Sequence, residues 1–130
     1  MKAFPLQKSR RLTLKKEIEV LFRQGRSIHS GYLRLIYHIE KENPKEGIKV
    51  LITVPRKKFR NATDRNRIRR LIREAYRLNY ARYLSENIET ALHVSLGFIY
   101  TGTSALVSYK EIEEALSSCL KKLVVELQNS

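Results

Sequence analysis

A chain of 130 residues with 42% apolar content is sized for one domain around one modest core. No window approaches the roughly 20 apolar residues of a membrane span, and the lone Cys119 excludes an internal disulfide and fits a reducing compartment. The formal net charge of +13 repels itself on so small a surface and calls for a polyanionic partner. That charge is directional: residues 1–26 carry a net +6, residues 56–82 a net +9, and residues 83–130 a net −3. No apolar run follows the basic opening residues, so no secretory leader is expected, and a cytoplasmic location is the expectation.

In chain order, residues 1–12 read as loosely ordered. From Thr13, capped by its own hydroxyl, Leu14, Ile18, Leu21 and Phe22 recur at helical spacing, and Gly25 marks the stop. Residues 32–40 form a strand with Leu33, Leu35 and Tyr37 on one face and Arg34, Ile36 and His38 on the other. Asn43, Pro44 and Gly47 make a turn, and residues 49–54 form a second strand expected to pair antiparallel with the first. Residues 56–62 are a basic loop. Thr63 or Asp64 then caps a helix running to about Arg82. Residues 85–90 are polar and fit a short turn or helix. Residues 93–100 read as a third strand, residues 101–108 as a loop and residues 109–127 as a last helix. Its core face is Ile112, Leu116, Cys119, Leu120, Leu123 and Leu127. No repeat or linker divides the chain, so residues 1–130 form a single domain of the α/β (α+β) class.

The helix beginning near Asp64 carries the functional argument. Wound at about 100° per residue, it gathers Ile68, Leu71, Ile72 and Ala75 within about 100° as a buried face. Asn66, Arg70, Arg73 and Arg77 fall within about 60° on the opposite side. Arg65 and Arg69 flank this stripe on one edge and Arg67 on the other. From Arg65 to Arg82 the chain uses arginine seven times and lysine never. A guanidinium donates paired hydrogen bonds to phosphate and stacks on bases; solubility alone would be served by lysine. Like charges at i,i+4, here Arg69/Arg73 and Arg73/Arg77, destabilise an isolated helix, a cost that a polyanion relieves. Arg56, Lys57, Lys58 and Arg60 extend the patch through the preceding loop. No helix-turn-helix, zinc-finger spacing or zipper points to DNA. For a single-stranded partner, Phe22, Tyr32, Tyr37, Phe59 and Tyr76 are candidate stacking platforms, each set against a core role.

Little else carries chemistry. His29, His38 and His93 lack metal-ligand spacing. The run from Gly97 to Gly102, Thr103 and Ser104 has the outline of a phosphate loop, but Thr103 stands where that motif needs lysine. Glu111, Glu113 and Glu114 suit the start of the last helix. No nucleophile–base pair stands out, so the chain is not catalytic alone.

The string from Arg65 through Asn66, Arg67, Ile68, Arg69, Arg70, Leu71, Ile72, Arg73, Glu74, Ala75 and Tyr76 to Arg77 resembles the signature of bacterial ribonuclease P protein components. Pro55 to Arg60 with Ala62, and Arg11-Leu12 with Phe22 and Gly25-Arg26-Ser27, resemble that family's flanking motifs. The resemblance implies a two-layer sandwich: a small sheet with antiparallel and parallel pairs, packed by three helices, with a left-handed βαβ crossover. Physics alone would predict the right hand, seen in about 98% of such units. It also implies an accessory role beside a catalytic RNA, which with Mg²⁺ removes the 5′ leader of precursor tRNA. RNA contacts would fall to Arg56, Lys57, Lys58, Arg60, Arg65, Asn66, Arg67, Arg69, Arg70, Arg73 and Arg77. A leader cleft would be lined by Ile18, Phe22, Arg34 and Ile36, with Ile18 standing where the family usually has phenylalanine. No metal site on the protein itself and no obligate protein partner are expected. A basic ribosomal or ribosome-assembly protein is the alternative, and a DNA-binding regulator the third reading.

Overall fold

A computed structural model of the chain describes residues 15–41, 47–84 and 92–128. The expectations for residues 1–12, for Thr13 as a cap, for the turn at Asn43 and Pro44, and for residues 85–90 lie outside them. The order is α1 (Lys15–Gln24), β1 (Arg26–Ser30), β2 (Leu33–Lys41), β3 (Gly47–Thr53), α2 (Ala62–Asn79), a π-helical turn (Tyr80–Leu84), β4 (Leu92–Tyr100) and α3 (Tyr109–Gln128). One four-stranded sheet runs β1-β2-β4-β3.

Alternation along the strands divides the interior in two. Leu33, Leu35 and Tyr37 of β2, Val94, Leu96, Phe98 and Tyr100 of β4, and Val50 of β3 join the large core. Onto it fold Ile68, Ile72, Ala75 and Tyr76 of α2 and the whole expected apolar face of α3. Cys119 is a free, buried thiol in that face, and burial pushes its pKa up to about 11. The opposite sheet face bears a small second core of Leu21 and Ile36, with Ile18, Leu51 and Ile99 against it. So α1 forms a thin extra layer across the sheet from α2 and α3.

That thin layer depends on close approach. Gly97 of β4 lies under Leu21, whose Cδ2 would stand 3.0 Å from a Cβ there. At Gly25 a Cβ would meet Leu21 O at 2.3 Å and Ile36 Cγ2 at 2.6 Å, so only glycine lets the chain leave α1 and enter β1.

Three expectations need correction. Residues 49–54 do not pair with β2. β4 lies between them, antiparallel to β2 (Ile36↔Gly97) and parallel to β3 (Leu51↔Gly97). Antiparallel pairing of neighbouring strands is the local choice. Here α2 serves as the crossover that a parallel β3–β4 pair demands, and the doubly buried β4 takes the centre. Second, β1 was not anticipated. Its sequence, Arg-Ser-Ile-His-Ser, turns only Ile28 toward the core, too short an apolar signal to read. It pairs with β2 across a two-residue turn with Gly31 at φ +54°. Third, Asn61 caps α2, its side chain accepting from Thr63 N–H at 2.9 Å. Thr63 and Asp64 sit inside the first turn. The far end also differs: α-geometry stops at Asn79, where the buried side chain donates to Ala75 O at 2.8 Å, and the backbone loosens into the π-turn.

Candidate nucleic-acid interface

Helix α2 has its N-terminus between two loops, residues 54–61 before it and residues 101–108 after β4. Asn66 and Arg70 are exposed, and Arg69, Arg73 and Arg77 are half-buried. Arg69 donates to Asn66 Oδ1 at 3.3 Å, a weak contact that keeps both polar ends at the surface. Arg77 is engaged by Glu74, three residues before it, and Nη2 donates to Oε2 at 2.6 Å. The lower end of the stripe is therefore partly neutralised. Its cationic end is the N-terminal half, where the helix dipole adds to the field. Arg56, Lys57, Lys58 and Arg60 are all exposed in the adjoining loop.

Arg65 and Arg67 behave otherwise. Arg65 is only 8% exposed. Its Nη1 donates to Phe59 O at 2.7 Å and to Arg60 O at 2.8 Å, gripping the basic loop from inside. Phe59 is itself a buried plug, 5.5 Å from the ring of Tyr100 and hydrogen-bonded through its N–H to Pro55 O. Arg67 reaches the other way. Its Nη1 and Nη2 donate to Ala105 O and Val107 O, each at 2.8 Å. Simple winding put both arginines on the stripe's borders. The structure turns them into braces for the two flanking loops, and Asn66 between them faces outward.

The second loop is tied at further points. Burial raises the pKa of Tyr100, so its hydroxyl stays a donor, and it reaches Ser104 O at 2.7 Å. Thr101 N–H donates to Tyr32 O at 2.8 Å. At the start of α3, Ser108 and Glu111 form a reciprocal cap. Ser108 Oγ accepts from Glu111 N–H, and Ser108 N–H donates to Glu111 Oε1. The Ser108 N–H and, second, the Ser108 hydroxyl, both donating to Oε1, hold the Glu111 carboxyl below the ordinary range. The outline of a phosphate loop here resolves as a structural loop and cap.

The expected cleft residues lie on the α1 side of the sheet. Phe22 is exposed, and Arg34 donates to Ser27 Oγ at 2.9 Å. Ile36, however, is buried beneath Leu21 and packed with Ile18, so these two form floor and wall packing and present little open surface. Beside them lies a pocket between α1 and the sheet, lined by Lys16, Glu17, Val20, His38, Glu40, His93 and Ser95. Glu17 pairs with Lys49 at 3.5 Å. His38 and His93 stand 55 residues apart in the chain, with no spacing that links them. The register of β2 on β4, His38 beside Ser95 and Glu40 beside His93, brings them together. Of the proposed stacking platforms, Phe22 and Tyr32 are exposed, whereas Tyr37, Phe59 and Tyr76 are core.

A mixed four-stranded sheet with an arginine-rich crossover helix defines a small basic α+β protein, and solved structures share that fold. The Staphylococcus aureus RNase P protein superposes with a TM-score of 0.66 at 20% identity, covering 89% of this chain and 96% of that one. The Thermotoga maritima RNase P protein gives 0.64 at 24% identity, covering 86% and 96%. Curated sequences are nearer. A ribonuclease P protein component from Porphyromonas gingivalis is 32% identical over 98% of this chain and 92% of its own length. Another, from Chlorobaculum tepidum, is 36% identical over 85% and 77%. The family model described as Ribonuclease P matches residues 6–124. The chain belongs to the ribonuclease P protein family. It is a protein subunit of that tRNA-processing enzyme, partnered with the ribonuclease P RNA. Membership decides against the ribosomal and DNA-binding readings.

Proposed function

We propose that this subunit grips the ribonuclease P RNA and the single-stranded 5′ leader of precursor tRNA, leaving leader removal to the RNA. The observation that carries this is the cationic surface at the N-terminal half of α2, where Arg56, Lys57, Lys58, Arg60, Asn66 and Arg70 are exposed and Arg69 and Arg73 are half-buried. In this reading Arg65 and Arg67 serve it by holding its two loops, and Arg77 adds charge tempered by Glu74. The leader would run along the α1 side of the sheet, past Phe22 and Arg34, over packing supplied by Ile18 and Ile36. Mg²⁺ would act through RNA phosphates. Among the described residues no group of three or more His, Cys, Asp or Glu side chains stands close enough to hold a metal ion. The work would take place in the cytoplasm, where bacterial precursor tRNA is made; separately, no described helix is long and apolar enough to cross a membrane.

The test is cleavage of precursor tRNA by the matched ribonuclease P RNA, with and without this protein, at low and high Mg²⁺. The protein should lower the ionic strength needed and cleave nothing alone. Cleavage by the protein without RNA, or no effect on the RNA's activity, would overturn the proposal.

A further inference from the structure

Leu106 is 85% exposed, the most exposed large apolar side chain among the described residues. A lone exposed leucine is ordinary; the way its backbone is held is not. Its N–H donates to Ser104 Oγ at 3.0 Å. The carbonyls on either side of it, Ala105 O and Val107 O, both receive the Arg67 guanidinium. Tyr100 fixes Ser104 from beneath, and the cap at Ser108 holds the far end. Five side-chain hydrogen bonds thus immobilise a segment whose outermost feature is an apolar side chain in water. A loop that only joined β4 to α3 would gain nothing from presenting leucine rigidly outward.

We infer that Leu106 is an apolar contact for an unpaired base of the partner RNA, and that Arg67 is its positioning residue. This rests on the reading of α2 as the RNA-gripping helix. The occupant follows from continuity. Arg67 lies about 60° around α2 from Arg70 and holds Ala105 O and Val107 O, so the loop that carries Leu106 borders the cationic stripe. At the start of α3 both Lys110 and Glu111 are exposed, and Glu111 shares a pocket wall with Leu106, so it is the arginine stripe across Arg67, and not the charge of the loop itself, that favours RNA over a protein partner. Within RNA, a splayed base offers an apolar face, whereas a paired helix offers ribose and phosphate. Arg67 is suited to the positioning task because its planar fork spans two carbonyls; a lysine ammonium at that distance would serve one.

The experiment measures affinity of the full chain for its ribonuclease P RNA across a salt series, with thermal midpoints for each variant. Leu106→Ser should weaken binding about tenfold, in keeping with loss of one buried leucine, with the thermal midpoint and salt slope unchanged. Arg67→Lys, which keeps the charge, should reproduce that loss, and the double variant should bind no more weakly than either single one. Arg70→Ala is the control: it should reduce the salt slope and add independently to Leu106→Ser. Unchanged affinity for Leu106→Ser, with Arg70→Ala behaving as stated, overturns this inference alone. An unchanged slope in Arg70→Ala overturns the reading of the helix itself. A fall in slope for Leu106→Ser assigns the loop an electrostatic role and also counts against the inference.

Discussion

Arginines five positions apart on one helix do different work here, and burial separates them. Asn66 and Arg70 face solvent, whereas Arg65 spends its donors on two carbonyls of the basic loop. Hydrogen bonds from a charged donor contribute about 1.5–3 kcal/mol, and carbonyls left without partners cost about 1–3 kcal/mol. Arg65→Ala should therefore lower stability by about 2 kcal/mol in urea unfolding, while Arg70→Ala stays within about 0.5 kcal/mol of the parent. Equal stability of the two variants would refute the division of labour. A variant lacking both Arg65 and Arg67 would lose RNA affinity partly through loosened loops, so the exposed residues are the cleaner probes of contact. Periodicity could place all of these side chains on a wheel. It could not show that the loops at the wheel's two edges supply carbonyls within reach.

At the scale of elements, α3 is set by its first turn. The Ser108–Glu111 cap satisfies backbone donors at the helix start and keeps the Glu111 carboxyl ionised below its usual pKa. A group whose folded pKa is depressed stabilises the fold above its unfolded pKa and loses that contribution as pH falls through the folded value. The stability advantage of the parent over Glu111→Gln should be full at pH 7. It should shrink below the ordinary glutamate value of about 4.3 and vanish once the carboxyl protonates. Unfolding midpoints from pH 7 to pH 2 check this, and a difference that is flat with pH would exclude the cap as its source. Helices α2 and α3 were legible from spacing because each buries one stripe, and all six apolar residues expected on α3 are buried; on α1 the expected face is split, with Leu21 buried and Phe22 exposed. Strand β1 was not legible, since Ile28 alone turns inward. The capping of α2 by Asn61 was missed because Thr63 and Asp64 carry equally good acceptors, and only the backbone path chooses among them.

Over the whole molecule, charge governs association. If about six phosphates are neutralised, the logarithm of RNA affinity should fall with the logarithm of salt at a slope of about −4 to −5. Each exposed arginine removed should make it shallower by about one. A slope near zero would mean that the cationic face is not where RNA binds. The sequence by itself determined three of the four strands, the apolar faces of α2 and α3, a concentration of arginine on α2 and, through the motif around Asn66, the family. These are local properties, written in periodicity and residue type. Tertiary structure alone decided that β4 enters between β2 and β3, because strand order depends on which strand is buried on both faces. It brought His38, His93 and Ser95 together under α1 by register. And it changed the helix on which the functional argument rests: Asn66 and Arg70 stay open, while Arg65 and Arg67 turn inward to carbonyls that no spacing along the chain reveals.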